Sequence, residues 1–205
     1  MLSSVTDIND KQAGYFISFN TIDWVDIFIR PVYKQVIVHT LNHFIDSKGL
    51  RIYAWCLMSS QLHIIAQAQD DYLIETIDDA YRSFTSAKIV EALDAEPQIR
   101  KQWMLERFEK AGNNSKSLQI WQNPVSPVLL DLKNIASTQD YFQFIHDRPV
   151  RDRCVDLAID YLYSSARDYA GIKGLVNICR IPGLESQLSS YENSNDSYFI
   201  RYIRN

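Results

Sequence analysis

The chain has 205 residues, 46% hydrophobic and 22% charged, enough apolar mass for one globular domain with a proper core. Its net charge of -4 is not the basic excess of a general nucleic-acid binder, although local basic clusters remain open. Cys56, Cys154 and Cys179 are scattered without a CxxC pair, which points to reduced packing thiols rather than a disulfide framework. No secretory leader is visible at the N-terminus and no apolar run is long enough to cross a bilayer. The expectation is a soluble cytoplasmic protein with no membrane partner.

Gly14–Phe19 is aromatic and apolar and predicts a first strand. Pro31 suits the first turn of a helix, and from Val32 to Ser47 the residues Val36, Ile37, Leu41, Phe44 and Ile45 recur at helical spacing. Lys48-Gly49 ends that helix, the glycine supplying a left-handed cap. Leu50–Met58 and Gln61–Gln69 read as two strands joined through Ser59-Ser60 as a hairpin. Asp70-Asp71 caps a long helix from about Tyr72 to Leu93. Pro97 opens another to about Lys110, before a loop at Ala111–Ser117. Leu118–Gln122 looks like a short strand, Val128–Leu130 is extended, and Thr138–His146 is helical. Leu157–Tyr169 carries a last helical pattern, and Ser186–Asn195 is polar and Ser/Asn-rich, the composition of a mobile tail.

Strand, helix, strand, strand, helix, strand is the ferredoxin-like order. The expected fold is therefore α+β: an antiparallel sheet with helices packed on one face, the other face available to a ligand, and extra C-terminal helices. The expected organisation is an N-terminal extension over 1–13, a domain over 14–170 and a C-terminal tail over 171–205. This fold serves many functions and identifies none.

The hairpin carries the sharpest chemical signal. Strand side chains alternate, so Gln61 and His63 share one face with Leu62 opposite. Two histidines so placed would grip one metal ion, but here one of them is a glutamine. His39 and His43 stand one helical turn apart, a spacing that binds zinc, yet no third ligand accompanies them. Arg82, Lys88, Arg100, Lys101, Arg107 and Lys110 form a locally basic centre interleaved with Tyr81, Phe84, Trp103 and Phe108. Such a pattern serves base stacking. Neighbouring acidic residues dilute it, and by residues alone it reads as two amphipathic helices with solvated charges.

Several segments together resemble the REP-associated tyrosine transposases, within the HUH-type transposases of single-stranded insertion elements. They are Tyr15–Phe19, Tyr53–Met58 with Gln61-Leu-His63, Phe84–Lys88, Ile120–Gln122, Tyr141–Val150 and Tyr163–Tyr169, in family order over most of residues 14 to 170. The resemblance implies a His-hydrophobic-His strand holding a divalent metal and a tyrosine on a later helix. That tyrosine attacks a DNA phosphate and forms a covalent link. A polar residue one turn further on completes the metal shell. The metal would withdraw charge from the phosphate and the phenolate would be the nucleophile.

Matched position by position, the first metal histidine falls on Gln61 and the second on His63. The nucleophilic tyrosine falls on Phe144, and the third metal ligand, an amide in the family, on Arg148. A glutamine oxygen is acceptable to magnesium. Phe144 has no hydroxyl, and Arg148 would repel a divalent cation while binding a phosphate directly. The resemblance thus implies a binder of single-stranded or hairpin DNA that has lost cleavage. It would use no cofactor, Mg or Mn entering only if the site is still active. Arg82, Lys88, His146 and Arg148 are the candidate DNA contacts, and a homodimer is a candidate assembly. Two alternatives stay open. Tyr141 could replace Phe144 as nucleophile in an active enzyme, though it starts roughly 4.5 Å away along the helix axis and catalysis tolerates misplacement poorly. The chain could also be a domesticated protein-interaction module without DNA, which the acidic balance favours.

Overall fold

Four strands form one antiparallel sheet in the order β2-β3-β1-β4, with β1 at Gly14–Asn20, β2 at Leu50–Leu57, β3 at Gln61–Ala68 and β4 at Val128–Leu130. The computed structural model describes residues 13–69, 72–112 and 118–184. Residues 1–12 of the extension expected over 1–13, the Asp70-Asp71 cap, residues 113–117 of the loop expected over 111–117 and the tail expected at 186–195 lie outside the described residues. The strand order and the intervening helices α1 (Pro31–Ser47) and α2 (Ile74–Ala92) give the ferredoxin-like arrangement expected. The hairpin closes where Met58 N–H donates to Gln61 O at 2.7 Å around Ser59-Ser60. Gly49, at φ 67, adopts the left-handed conformation that ends α1 and turns the chain into β2.

Period-two alternation sorts the strand residues into two cores. Tyr15, Ile17 and Phe19 of β1 and Leu62 and Ile64 of β3 pack with Tyr33, Ile37, Leu41 and Phe44 of α1 and with Ile77, Tyr81 and Ile89 of α2. A third helix, α3 (Gln98–Ala111), adds Met104 and Phe108 to that side. An irregularity between Ile52 and Ala54 shifts the alternation in β2. Ile52 and Trp55 therefore face one core, whereas Ala54 and Cys56 face the other.

The second face is not left open as expected. A helix α4 (Ile135–Arg151) lies on it, and Phe142 and Ile145 pack with Ala54, Cys56, Met58 and Ile65. This helix is longer at both ends than the 138–146 predicted and runs through Pro149, which sits in its last turn. The helical pattern over 157–169 breaks into a 3-10 turn at Ala158–Asp160 and a short α5 at Ala166–Tyr169. Between them the backbone follows the outer edge of β2, Leu57 N–H donating to Tyr163 O at 2.9 Å, so strand pairing overrides the local pattern. Leu118–Gln122 is not a strand; only Trp121 forms a bridge, with Thr21. The packed chain also continues beyond the boundary expected at residue 170. Cys179 N–H donates to Ile52 O, and Val176, Ile181 and Leu184 are buried.

Ser165 ties α4 to the sheet. Its hydroxyl oxygen accepts from Trp55 N–H at 2.9 Å and lies 2.7 Å from His146 Nε2, all inside the core. Replacing Ser165 with Ala leaves two buried polar groups short of a partner. Ser165→Ala is expected to cost roughly 2 kcal/mol, read as a lower urea midpoint at unchanged m-value.

Candidate functional site

Cross-strand rows build the site. In β1 and β3, Asn20 stands opposite Gln61, Ser18 opposite His63 and Phe16 opposite Ile65. Their alternation points these side chains toward the α4 side of the sheet. Gln61 Nε2 donates to Asn20 Oδ1 at 3.0 Å, and the Ser18 hydroxyl lies 2.8 Å from His63 Nδ1. On α4, Tyr141, Phe144 and Arg148 recur at helical spacing and share a face. The Phe144 ring meets His63 edge-on at 5.1 Å, while Tyr141 packs against Phe16 at 4.9 Å. Phe16 in turn stacks on His63 at 5.9 Å.

The hairpin and α4 positions singled out in the sequence thus converge. His63 is 3% exposed. Burial first, and the Arg148 charge second, push its pKa down to about 4, so the ring is neutral at pH 7. Its Nε2 is buried without a hydrogen-bond partner among the described residues. Arg148 bonds Asp152, the residue just past the end of α4, at 3.1 Å and keeps about a third of its side chain exposed.

These residues do not fit a divalent cation. One imidazole and one amide already engaged with Asn20 are the neutral donors, and a permanent guanidinium charge acts on the same imidazole. Among the described residues, no group of three or more His, Cys, Asp or Glu could hold a metal ion. At the matched nucleophile position the ring facing His63 is a phenyl. Tyr141 carries the hydroxyl, but its ring lies one turn earlier, over Phe16.

Three expected DNA contacts sit elsewhere. His146 is fully buried, its ring 4.2 Å from Phe142, and burial lowers its pKa to about 3. It is a packing residue of the second core and touches no ligand from there, which corrects the expectation. Arg82 is a clamp rather than a free cation. Its guanidinium bonds both oxygens of Asp78 at 3.1 Å, lies 4.4 Å over the Phe19 ring and reaches Ser18 O and Gln122 O at 3.4 Å. Lys88 is exposed and pairs with Glu91 at 2.9 Å. Both belong to α2, on the face away from His63. An open groove of about 690 Å³ on that side is lined by Arg82, Ser86, Val90, Leu118 and Trp121. His43 bonds Ser47 and stacks on Phe84, in keeping with a surface helix histidine.

Sequence reasoning missed Ser18 and Asn20. The period-two rule places them on one face of β1, but only the β1–β3 register shows which residues they meet.

No family model matches the chain, and comparison with curated proteins found no match. The fold is similar to that of a REP-associated tyrosine transposase bound to a REP hairpin, with a TM-score of 0.54 and 16% identity over 88% of this chain and 93% of that one. A candidate transposase from Deinococcus radiodurans r1 matches with a TM-score of 0.38 and 15% identity over 65% of this chain and 90% of that one. At 16% identity the first likeness is one of fold. Among the described residues no helix is long and apolar enough to cross a membrane.

Proposed function

We propose that the chain binds single-stranded or hairpin DNA on the α4 side of its sheet and does not cut it. The observation that carries this reading is the placement of Phe144 against His63, with the Arg148 charge acting on the same imidazole. A guanidinium brings permanent positive charge and several donors to a phosphate without a metal. Half-buried rings beside it serve stacking. The similarity in fold to a transposase bound to a REP hairpin supports the class of ligand.

The test is a gel shift of the full chain with hairpin and single-stranded oligonucleotides at low salt, where backbone contacts are least screened. Arg148→Glu is expected to weaken binding about 10- to 100-fold, the worth of a charge-assisted hydrogen bond. Arg148→Ala is expected to lower the salt slope by about one. Denaturing gels with magnesium or manganese are expected to show no covalent adduct. An adduct that disappears in Tyr141→Phe would overturn the non-cutting reading and assign the nucleophile to Tyr141. No shift with any oligonucleotide would remove DNA and leave a protein-interaction module.

A further inference from the structure

We infer that Asp152 is a built-in counter-ion of the proposed DNA site: in the free chain its carboxylate holds Arg148, and a DNA phosphate binds by displacing it. The inference rests on the DNA-binding reading above and names the residue that sets the affinity of that face.

Arg148 Nε donates to Asp152 Oδ2 at 3.1 Å. A carboxylate offers a guanidinium the same kind of anionic oxygen as a phosphodiester, so Asp152 occupies a donor that a phosphate would use. The contact is one hydrogen bond rather than a two-pronged fork, and both side chains are partly exposed. Exposed pairs of this kind are weak, so a phosphate can exchange for the carboxylate.

The end of α4 shows that the Asp152 side chain serves Arg148 and not the helix. Asp152 is the C-cap. The unpaired carbonyls there carry the negative end of the helix dipole, so an acidic side chain is unfavourable. The backbone also ends the helix without that side chain. Asp152 N–H donates to Arg148 O, Arg153 N–H to Val150 O and Cys154 N–H to Pro149 O. Arg153 adopts the left-handed conformation, at φ 58, that closes such a turn. Among the described residues the Asp152 carboxylate has one hydrogen-bond partner, and it is Arg148.

Two effects of the carboxylate act in the same direction on a phosphate. Competition for Arg148 is worth a factor of about two, the strength of an exposed pair four residues apart on a helix. Repulsion adds to it, because a phosphate seated on Arg148 lies within the screening length of about 10 Å at 0.1 M salt. Removing the charge at 152 therefore tightens binding and steepens its salt dependence.

The experiment uses the full chain and a fluorescein-labelled hairpin with a single-stranded flank, titrated at several salt concentrations. Asp152→Asn is expected to bind about 5- to 10-fold tighter than the wild type at low salt, with a salt slope steeper by up to about one. Its urea midpoint is expected to stay unchanged, as the lost pair and the relief at the helix end offset each other. Asp156→Asn removes an exposed carboxylate with no contact to Arg148 and is expected to change affinity less than about twofold. In an Arg148→Ala background, Asp152→Asn is expected to gain less than about twofold, since the guanidinium it would release is gone. Affinity of Asp152→Asn within twofold of the wild type would overturn the counter-ion role and leave the DNA-binding reading standing. So would a full gain that persists without Arg148. No binding by the wild type or by Asp152→Asn at low salt would overturn both.

Discussion

Acidification from about pH 7.5 to pH 5 is expected to remove roughly 4 kcal/mol of folding stability through two histidines alone. His63 and His146 have pKa values of about 4 and about 3 in the folded chain, against an ordinary value of 6.5. Burial is the first cause in both, and the Arg148 charge adds to it at His63. The folded values lie below the unfolded ones, so the unfolded chain takes up protons first. Stability from these rings is therefore complete above about pH 6.5, falls as the pH drops below it, and stops falling once the folded values are passed. At pH 5 each ring accounts for about 2 kcal/mol. Asp78 and Asp168, whose carboxyls burial holds above the usual range, act in the opposite sense at the acid end. Urea titrations across this range measure the slope, and His146→Gln should remove about half of it. A midpoint that stays flat between pH 7 and pH 5 would show that neither ring is held neutral by the fold.

Two substitutions should create a metal site on the α4 side of the sheet, where the described residues offer none. Gln61→His places two imidazoles on one face of β3, two residues apart, a spacing that can hold one cation. Arg148→Asn removes the guanidinium that repels it and supplies an amide oxygen. With manganese or zinc, the double variant is expected to gain about 5–10 °C in Tm, the linkage expected at roughly a hundred times Kd for a chain of this size. The native chain is expected to gain nothing, and each single variant less than the double. An equal gain in the native chain would show that the Arg148 charge does not exclude a cation and would reopen metal-dependent chemistry. Adding Phe144→Tyr then asks whether the hydroxyl alone was missing, with a covalent adduct on hairpin DNA as the readout.

Much of the fold was legible because its signals are local. Apolar spacing marked α1 and α2, Gly49 marked the end of α1, and alternation marked β1 and the hairpin. The misreadings share a cause in non-local pairing. Residues 157–169 hold a helical pattern, but the edge of β2 needs hydrogen-bond partners, and Tyr163 and Ser164 supply them. His146 and Arg82 looked like free polar groups until the core closed over the first and the Phe19 ring with the Ser18 and Gln122 carbonyls engaged the second.

For the candidate site the division follows the same physics. The sequence by itself determined which groups stand at the matched positions: a phenyl at Phe144, a permanent charge at Arg148, and an amide at one of the paired strand positions. Residue identity and the period of a strand are enough for that. Only the tertiary structure decided what these residues meet. The docking of α4 brings Phe144 to His63, and the β1–β3 register gives Gln61 and His63 their partners Asn20 and Ser18. Those contacts join residues far apart in the chain, so no local pattern encodes them, and burial then sets the charge state of His63.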